Sequence, residues 1–487
     1  MLFNSPEFLF LFLPLAFAGY QLLRRVDARW AIASLTLASF VFYVAWEPAN
    51  SWVMLLSILG NYVCGLILVR TRGGRWGSPV LGMGLGANLL ALGYFKYTGF
   101  FVANTPFLGL DPAIGQIVLP LGISFFTFTQ IAYLVDVRRG IAQEADVLNY
   151  CLFVTFFPHL IAGPIVHHKE MMPQFAVPRP LRSEDMVAGL ALLSIGLFKK
   201  IVFADTLAAY ASPVFAQAEN PAASIPMFAA WQGAVAYSGQ IYFDFSGYSD
   251  MAVGLALLFG INLPLNFNSP YQARSMIEFW RRWHMTLSRF LRDYLYVPLG
   301  GNRLGRRRRY INLLLVMVIG GLWHGASWTF VIWGALHGVF LAINHLWRDG
   351  RGARPATAIG RAGGWAATLF CVIVAWVFFR AADLPTALRM LEGMAGLNGL
   401  GPIGGAQLAS WNGLGIAVGL FVIALVAPNS QQIVRDFKPG LGSIEMPRYF
   451  KGLVLRPTAL WAVATAGLLI AAIVNLWTQS EFLYYRF

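Results

Sequence analysis

Apolar runs recur along the chain near positions 7–23, 30–46, 51–69, 79–98, 114–135, 186–206, 228–259, 311–323, 328–346, 364–380, 411–427 and 459–478, with short polar loops between them. A helix of about 20 apolar residues crosses a bilayer, so this spacing predicts an all-α polytopic membrane protein of about 11–12 transmembrane helices. A further run, 147–166, has Arg138 and Arg139 before it and Lys169 after it, which predicts a re-entrant segment. No stretch reads as a separate soluble domain. The chain is one integral membrane unit, 1–487, in which 1–110 supply N-terminal helices, 111–350 a core bearing the polar motifs, and 351–487 C-terminal helices. The first apolar run lacks a basic n-region and an A-x-A-like site, so it is expected to stay as a membrane helix.

The largest polar interruption is 260–310. Within it, 275–296 (SMIEFWRRWHMTLSRFLRDYLY) can be laid on a helical wheel centred on Trp280. Met276, Ile277, Trp283, Leu287, Leu291, Tyr294 and Leu295 then fall within about 60° of it, while Glu278, Arg281, Arg282, Arg289 and Arg292 take the opposite arc. The pattern predicts one amphipathic helix lying in the interface plane. His284, about 40° from Trp280 on that wheel, points toward the protein or the bilayer. Glycines such as Gly82, Gly84, Gly86, Gly320 and Gly321 are expected to permit close helix packing.

Composition sharpens this picture. Hydrophobic residues make up 57% of the chain and charged residues 12%, which excludes a water-soluble globule. Lys+Arg 36 against Asp+Glu 22 gives +14, the sign of positive-inside loops and anionic lipid rather than of nucleic acid. Arg24, Arg25 and Arg29 follow the first run and Arg70, Arg72 and Arg75 the third, which puts both termini outside and 260–310 in the cytoplasm. Cys64, Cys151 and Cys371 stand apart in apolar runs with no metal-ligand spacing, and read as packing residues.

Several mechanisms are excluded by absence: the sequence holds no GxxxxGK[ST], no GxSxG and no HExxH. What remains are ionisable groups in apolar surroundings, each costing several kcal/mol and so a functional candidate. His324, in IGGLWHGASWTF, is flanked by Gly320, Gly321, Gly325 and Ala326, which clear space for a close approach. Its plainer alternative is a core histidine bonded to a carbonyl. His284 either snorkels at the interface or converges with His324 on one site. His159, between Pro158 and Pro164, lines a cavity or packs; His337 and His345 read as structural, and His167 and His168 as solvated loop residues. Asp244, Ser246 and Asp250 lie in QIYFDFSGYSD; six residues apart, the carboxylates diverge on a helix and are expected to pin neighbouring helices or orient polar groups. Arg303 and Arg306 to Arg309 suit a lipid anchor or a phosphate site.

Together, SFFTFTQIAYLVDV (124–137), FFPHLIAGPI (156–165), QIYFDFSGYSDMAVG (240–254), FWRRWHMTLSRFLRDYLYVPLGGNR (279–303) and GGLWHGASWTFVIWGALHG (320–338) resemble the membrane-bound O-acyltransferase (MBOAT) family. The likeness is strongest to its bacterial branch of alginate O-acetyltransferases and teichoic acid D-alanylation proteins. The resemblance implies membrane helices around a central tunnel that joins a cytoplasmic thioester donor to an acceptor hydroxyl on the far face. It makes His324 the catalytic histidine and places the family's second polar position on His284. It further implies acetyl-CoA or an acyl carrier protein as donor, membrane lipids, a periplasmic acyltransferase and exopolysaccharide machinery as partners, and a multi-pass place in the bacterial cytoplasmic (inner) membrane. No bound cofactor and no metal are implied.

On this reading His324 is a general base for a hydroxyl attacking an already activated thioester, a task suited to imidazole near neutral pH. His284 orients the donor or stabilises the oxyanion. Arg281, Arg282 and Arg289 are candidates for a cationic vestibule that holds the donor's phosphates. A lipid O-acyltransferase, or a non-enzymatic transporter or flippase of a glycan or acyl group, are the alternatives.

Overall fold

The computed structural model describes residues 2–143, 146–351, 357–403, 408–476 and 482–483, and they form an all-helical multi-pass membrane protein. Five helices are long and apolar enough to cross a bilayer: Ser51–Thr71, Gly77–Asn104, Ser183–Glu219, Trp328–Gly350 and Ala358–Arg380. Shorter apolar helices are Phe8–Arg24, Ala28–Val44, Trp411–Val426 and Ala459–Val474. Among the described residues, strand-like pairing is limited to an isolated bridge between Pro264 and Leu441. Helix starts follow their sequence signals. The side chains of Asp27, Ser275, Asp383 and Ser410 each accept a hydrogen bond from a backbone N–H of the first turn.

The 32-residue helix Met227–Leu258 is buried along nearly its whole length and forms the axis of the fold. It runs antiparallel to Ser183–Phe198, and the two backbones touch at Gly189 with Gly254 and at Gly196 with Gly247. A Cβ on Gly196 would lie 2.6 Å from the Gly247 carbonyl oxygen, and one on Gly254 2.6 Å from that of Gly189. That approach lets Lys199 Nζ reach Asp250 Oδ2 at 2.8 Å and Lys200 Nζ reach Asp244 Oδ1 at 2.8 Å and Asp205 Oδ1 at 2.9 Å. Ser430 Oγ and Gln431 Nε2 also donate to Asp250. Buried charges are thereby paired and hydrogen-bonded, the condition under which they are tolerated.

Gly305–His324 turns back into Trp328–Arg351 through three residues, and Gly321 and Gly334 sit where the two backbones cross. Buried side chains divide into a large core and a smaller cluster of Phe128, Ala132, Ile165, Leu287, Phe290, Leu291, Val316 and Trp323.

Three expectations are corrected. The segment 275–296 is not one helix: Met276–Trp280 and Met285–Leu291 are separated by a turn in which His284 adopts φ +41°, and the chain continues as a wider π-turn over Arg292–Tyr296. The break arises because the preceding irregular stretch, 266–268, hydrogen-bonds into the turn, Asn268 N to Arg282 O and Met285 N to Asn266 O, both at 2.9 Å. Its apolar side chains pack inside the protein, with Trp283 and Leu287 fully buried. The run 114–135 begins in a short 3-10 turn, Pro112–Gly115, and is α-helical only from Ile123, after Gly122 at φ +70°. The run 147–166, expected to be re-entrant, does not span: it forms Val147–Thr155 and Phe157–Leu160, each too short to cross a bilayer, with Pro158 in the second helix's first turn. His167 and His168 are buried, not solvated: His167 stacks on Tyr294 at 5.7 Å and His168 packs against Tyr133 at 5.3 Å.

Candidate active site

His324 is the last residue of Gly305–His324. Gly325 turns the chain away at once, and a side chain there would collide with the Phe330 ring. The His324 imidazole is 3% exposed and is walled by Trp323, Trp333 and Phe379, with ring centroids at 4.9, 5.1 and 5.2 Å. The carbonyls of the helix's last turn are taken by the distant span Gly77–Asn104: Tyr97 Oη donates to Leu322 O at 2.7 Å, and Lys96 Nζ to Trp323 O at 2.5 Å and to His324 O at 3.3 Å.

His284 is fully buried against Phe245, with ring centroids at 4.7 Å. Its Nδ1 lies 3.0 Å from Asn266 Oδ1. The same oxygen accepts from Thr286 Oγ1 at 2.9 Å and Thr286 N at 3.4 Å, while Asn266 Nδ2 donates to Ser249 Oγ at 3.2 Å. Thr286 Oγ1 is itself the acceptor for Ile165 N at 3.0 Å, so its proton goes to Asn266. Those partners fix the amide's orientation. Asn266 must therefore receive a proton from His284 Nδ1, and the neutral ring keeps its lone pair on Nε2.

Both histidines border Trp323, whose ring lies 6.2 Å from His284 and 4.9 Å from His324. His337 lies on the other side of Trp333, whose ring is 4.8 Å from His337 and 5.1 Å from His324. Because Trp323 belongs to the small cluster while Phe245, Trp333 and Phe379 belong to the large core or line it, the two imidazoles sit on the seam between them. From Trp323 an aromatic column continues through Phe128 at 5.0 Å, Phe290 at 4.2 Å and Tyr294 at 5.0 Å. It ends where Tyr294 Oη donates to Asp136 Oδ2 at 2.8 Å and the Arg139 guanidinium lies 5.6 Å from the Tyr294 ring.

The other sequence candidates fall elsewhere. Asp244 and Asp250 are held by Lys200 and Lys199, with Ser246 buried on the same helix. His159 Nε2 is 3.1 Å from the Phe153 carbonyl. His337 Nδ1 accepts from Trp280 Nε1 at 3.3 Å. Of the arginines, Arg282 is engaged by Glu278 at 3.1 Å and Glu445 at 2.8 Å, and Arg289 forms a fork with Glu170 at 2.5 and 2.9 Å. Arg281 is exposed and, among the described residues, makes no ion pair. Sequence reasoning missed Lys96, Tyr97, Asn266 and Thr286. Lys96 had a signal, being the lone charge in the run 79–98.

Residues 123–381 match the family described as MBOAT, membrane-bound O-acyltransferase. The chain is 44% identical over 430 residues to a peptidoglycan O-acetyltransferase of Helicobacter pylori, covering 82% of this chain and 81% of that protein. It is 42% identical over 436 residues to a Pseudomonas aeruginosa protein described as "probable alginate O-acetylase", covering 87% and 80%. A teichoic acid D-alanyltransferase of Lacticaseibacillus rhamnosus is 26% identical over 332 residues, covering 64% of this chain and 79% of its own.

Proposed function

The chain belongs to the membrane-bound O-acyltransferase family and is an O-acyltransferase, and from that premise we propose that it moves an acetyl group from acetyl-CoA at the cytoplasmic face to a hydroxyl on the far face of the bacterial inner membrane. The acceptor is an exported polysaccharide or peptidoglycan, reached directly or through a relay protein. Relatives at 42 and 44% identity are named for O-acetyl transfer, whereas D-alanyl relatives stand at 26 and 30%, which favours acetyl.

The observation that carries the mechanism is the meeting of His324 and His284 across Trp323. His324 takes the proton from the acceptor oxygen as that oxygen bonds to the thioester carbonyl carbon. The tetrahedral intermediate collapses with cleavage of the C–S bond, and the departing sulfur carries the proton away, which returns His324 to its neutral form. His284, with Nδ1–H committed to Asn266, accepts rather than donates through Nε2. That suits it to orienting a donor N–H or the acceptor O–H, and disfavours the oxyanion role. The column from Trp323 to Tyr294 supplies an apolar wall for the acyl-pantetheine arm, with the basic 274–309 region toward its outer end.

Purified protein given radiolabelled acetyl-CoA and either soluble glycan or peptidoglycan fragments tests this. Transfer of label with release of free coenzyme A, lost in His324→Ala, is the expected result. Labelled acetyl appearing across a vesicle with no coenzyme A released would replace catalysis with transport. Indifference to competing free coenzyme A at millimolar concentration would point instead to an acyl carrier protein.

A further inference from the structure

A helix that ends inside a protein leaves its last carbonyls without intrahelical partners, and a buried unpaired carbonyl costs about 1–3 kcal/mol. The helix ending at His324 has this problem at the place where its imidazole must be held still. Leu322, Trp323 and His324 all have their carbonyls satisfied from one short segment of another span: Tyr97 takes the first, and Lys96 the second and third. The third ammonium proton of Lys96 goes to Ser124 Oγ at 3.0 Å, and the carbonyl of Ser124 accepts from Trp323 Nε1 at 3.3 Å. Every donor on the ammonium is thus assigned to the frame around His324. A cation also answers the negative end of the helix dipole.

Two adjacent residues do this together because Gly93–Tyr97 is a π-turn inside the helix Gly77–Asn104. Such wider turns cost helix regularity and recur at functional sites. A full charge in an apolar span costs more still, and a neutral hydrogen-bonding residue would have been the cheaper packing solution. We propose that Lys96, seconded by Tyr97, is a positioning residue for acyl transfer: it fixes the backbone of Trp323 and His324 so that the base meets the acceptor hydroxyl and the thioester carbonyl in line. It touches neither substrate. The inference rests on the reading of His324 as the base.

The test compares Lys96→Met, Lys96→Arg and Tyr97→Phe in detergent, reading kcat, donor KM and the fraction of monodisperse protein. Small misplacements of a catalytic group cost up to about hundredfold, so Lys96→Met should lower kcat by about tenfold to hundredfold, with donor KM within about twofold. Lys96→Arg, which keeps a cation able to fork across two carbonyls, should recover most of that loss. Tyr97→Phe removes one hydrogen bond only and should lower kcat by a few-fold at unchanged KM. A Lys96→Met enzyme with full kcat overturns the proposal, as does an Arg variant no better than Met. If Lys96→Met does not fold, a Tyr97→Phe enzyme with wild-type kcat overturns it. Activity surviving in His324→Ala sinks the underlying reading instead, while a dead His324→Ala beside a fully active Lys96→Met sinks this inference alone.

Discussion

His284 and Asn266, eighteen residues apart in sequence, are joined by a 3.0 Å hydrogen bond at the turn where His284 takes a left-handed backbone. Asn266 therefore does two things: its backbone breaks the helix that 275–296 would otherwise form, and its amide selects the histidine tautomer. Asn266→Leu removes the second function while leaving the backbone contacts. Misplacing a group that orients the reactants costs up to about hundredfold, so turnover should fall by as much as that. The double variant with His284→Ala should be no worse than His284→Ala alone. Additive losses would show that Asn266 acts elsewhere.

The pair Lys199 and Asp250 predicts a stability effect without a catalytic one. Asp250→Ala leaves Lys199 buried with its carboxylate gone, and removing one partner of a buried pair costs about 3–5 kcal/mol. Thermal unfolding in detergent should drop sharply, while kcat per folded molecule stays near wild type. A stable but inactive Asp250→Ala would move this carboxylate into the chemistry.

Two of the arginines proposed to hold the donor's phosphates, Arg281 and Arg282, separate by their partners. Arg281→Ala should raise donor KM with thermal stability unchanged, since no carboxylate in the described structure holds it. Arg282→Ala should lower stability, because it ties Glu278, Glu445 and the Asn268 carbonyl together. Equal effects of the two on KM would mean that Arg282 exchanges Glu445 for donor phosphate. No change with Arg281→Ala would remove it from the donor path.

Orientation is checked by labelling. Asn104 and Asn302 are both exposed, and the Lys/Arg asymmetry puts Asn302 in the cytoplasm and Asn104 outside. Single cysteines at the two positions, in a background lacking Cys64, Cys151 and Cys371, should react with an impermeant reagent from opposite sides. Reaction from one side would require a different span count between them.

Much of this architecture was legible because bilayer thickness imposes a length on apolar helices, and the runs at 51–69, 328–346 and 364–380 overlie helices that the structure contains. His324 stood out for a related reason, a titratable ring among glycines in an apolar run. Helical periodicity misled at 275–296. An amphipathic pattern says which side chains share a face only while the backbone stays helical, and there a distant stretch, 266–268, competes for the same N–H and C=O groups. His167 and His168 misled because a charged neighbour such as Lys169 marks a loop in sequence, although the adjoining rings are covered by Tyr294 and Tyr133. Lys96 and Asn266 act on residues far away along the chain, and no local pattern carries that information.

The bond from Lys96 to the Trp323 carbonyl closes a loop of 227 residues, and this bears on how the protein is made. At about 5–20 residues per second, the ribosome delivers the carbonyl roughly 10–45 seconds after the lysine. Through that interval the fourth apolar run sits in the membrane carrying a cation that has Ser124 within 28 residues but lacks its two final carbonyl acceptors. Lys199 and Lys200 wait far less, since Asp250 follows Lys199 by 51 residues. Chains arrested before the WHG segment are therefore the ones in which quality-control proteases should find an exposed intramembrane charge, and chains arrested just beyond it should escape.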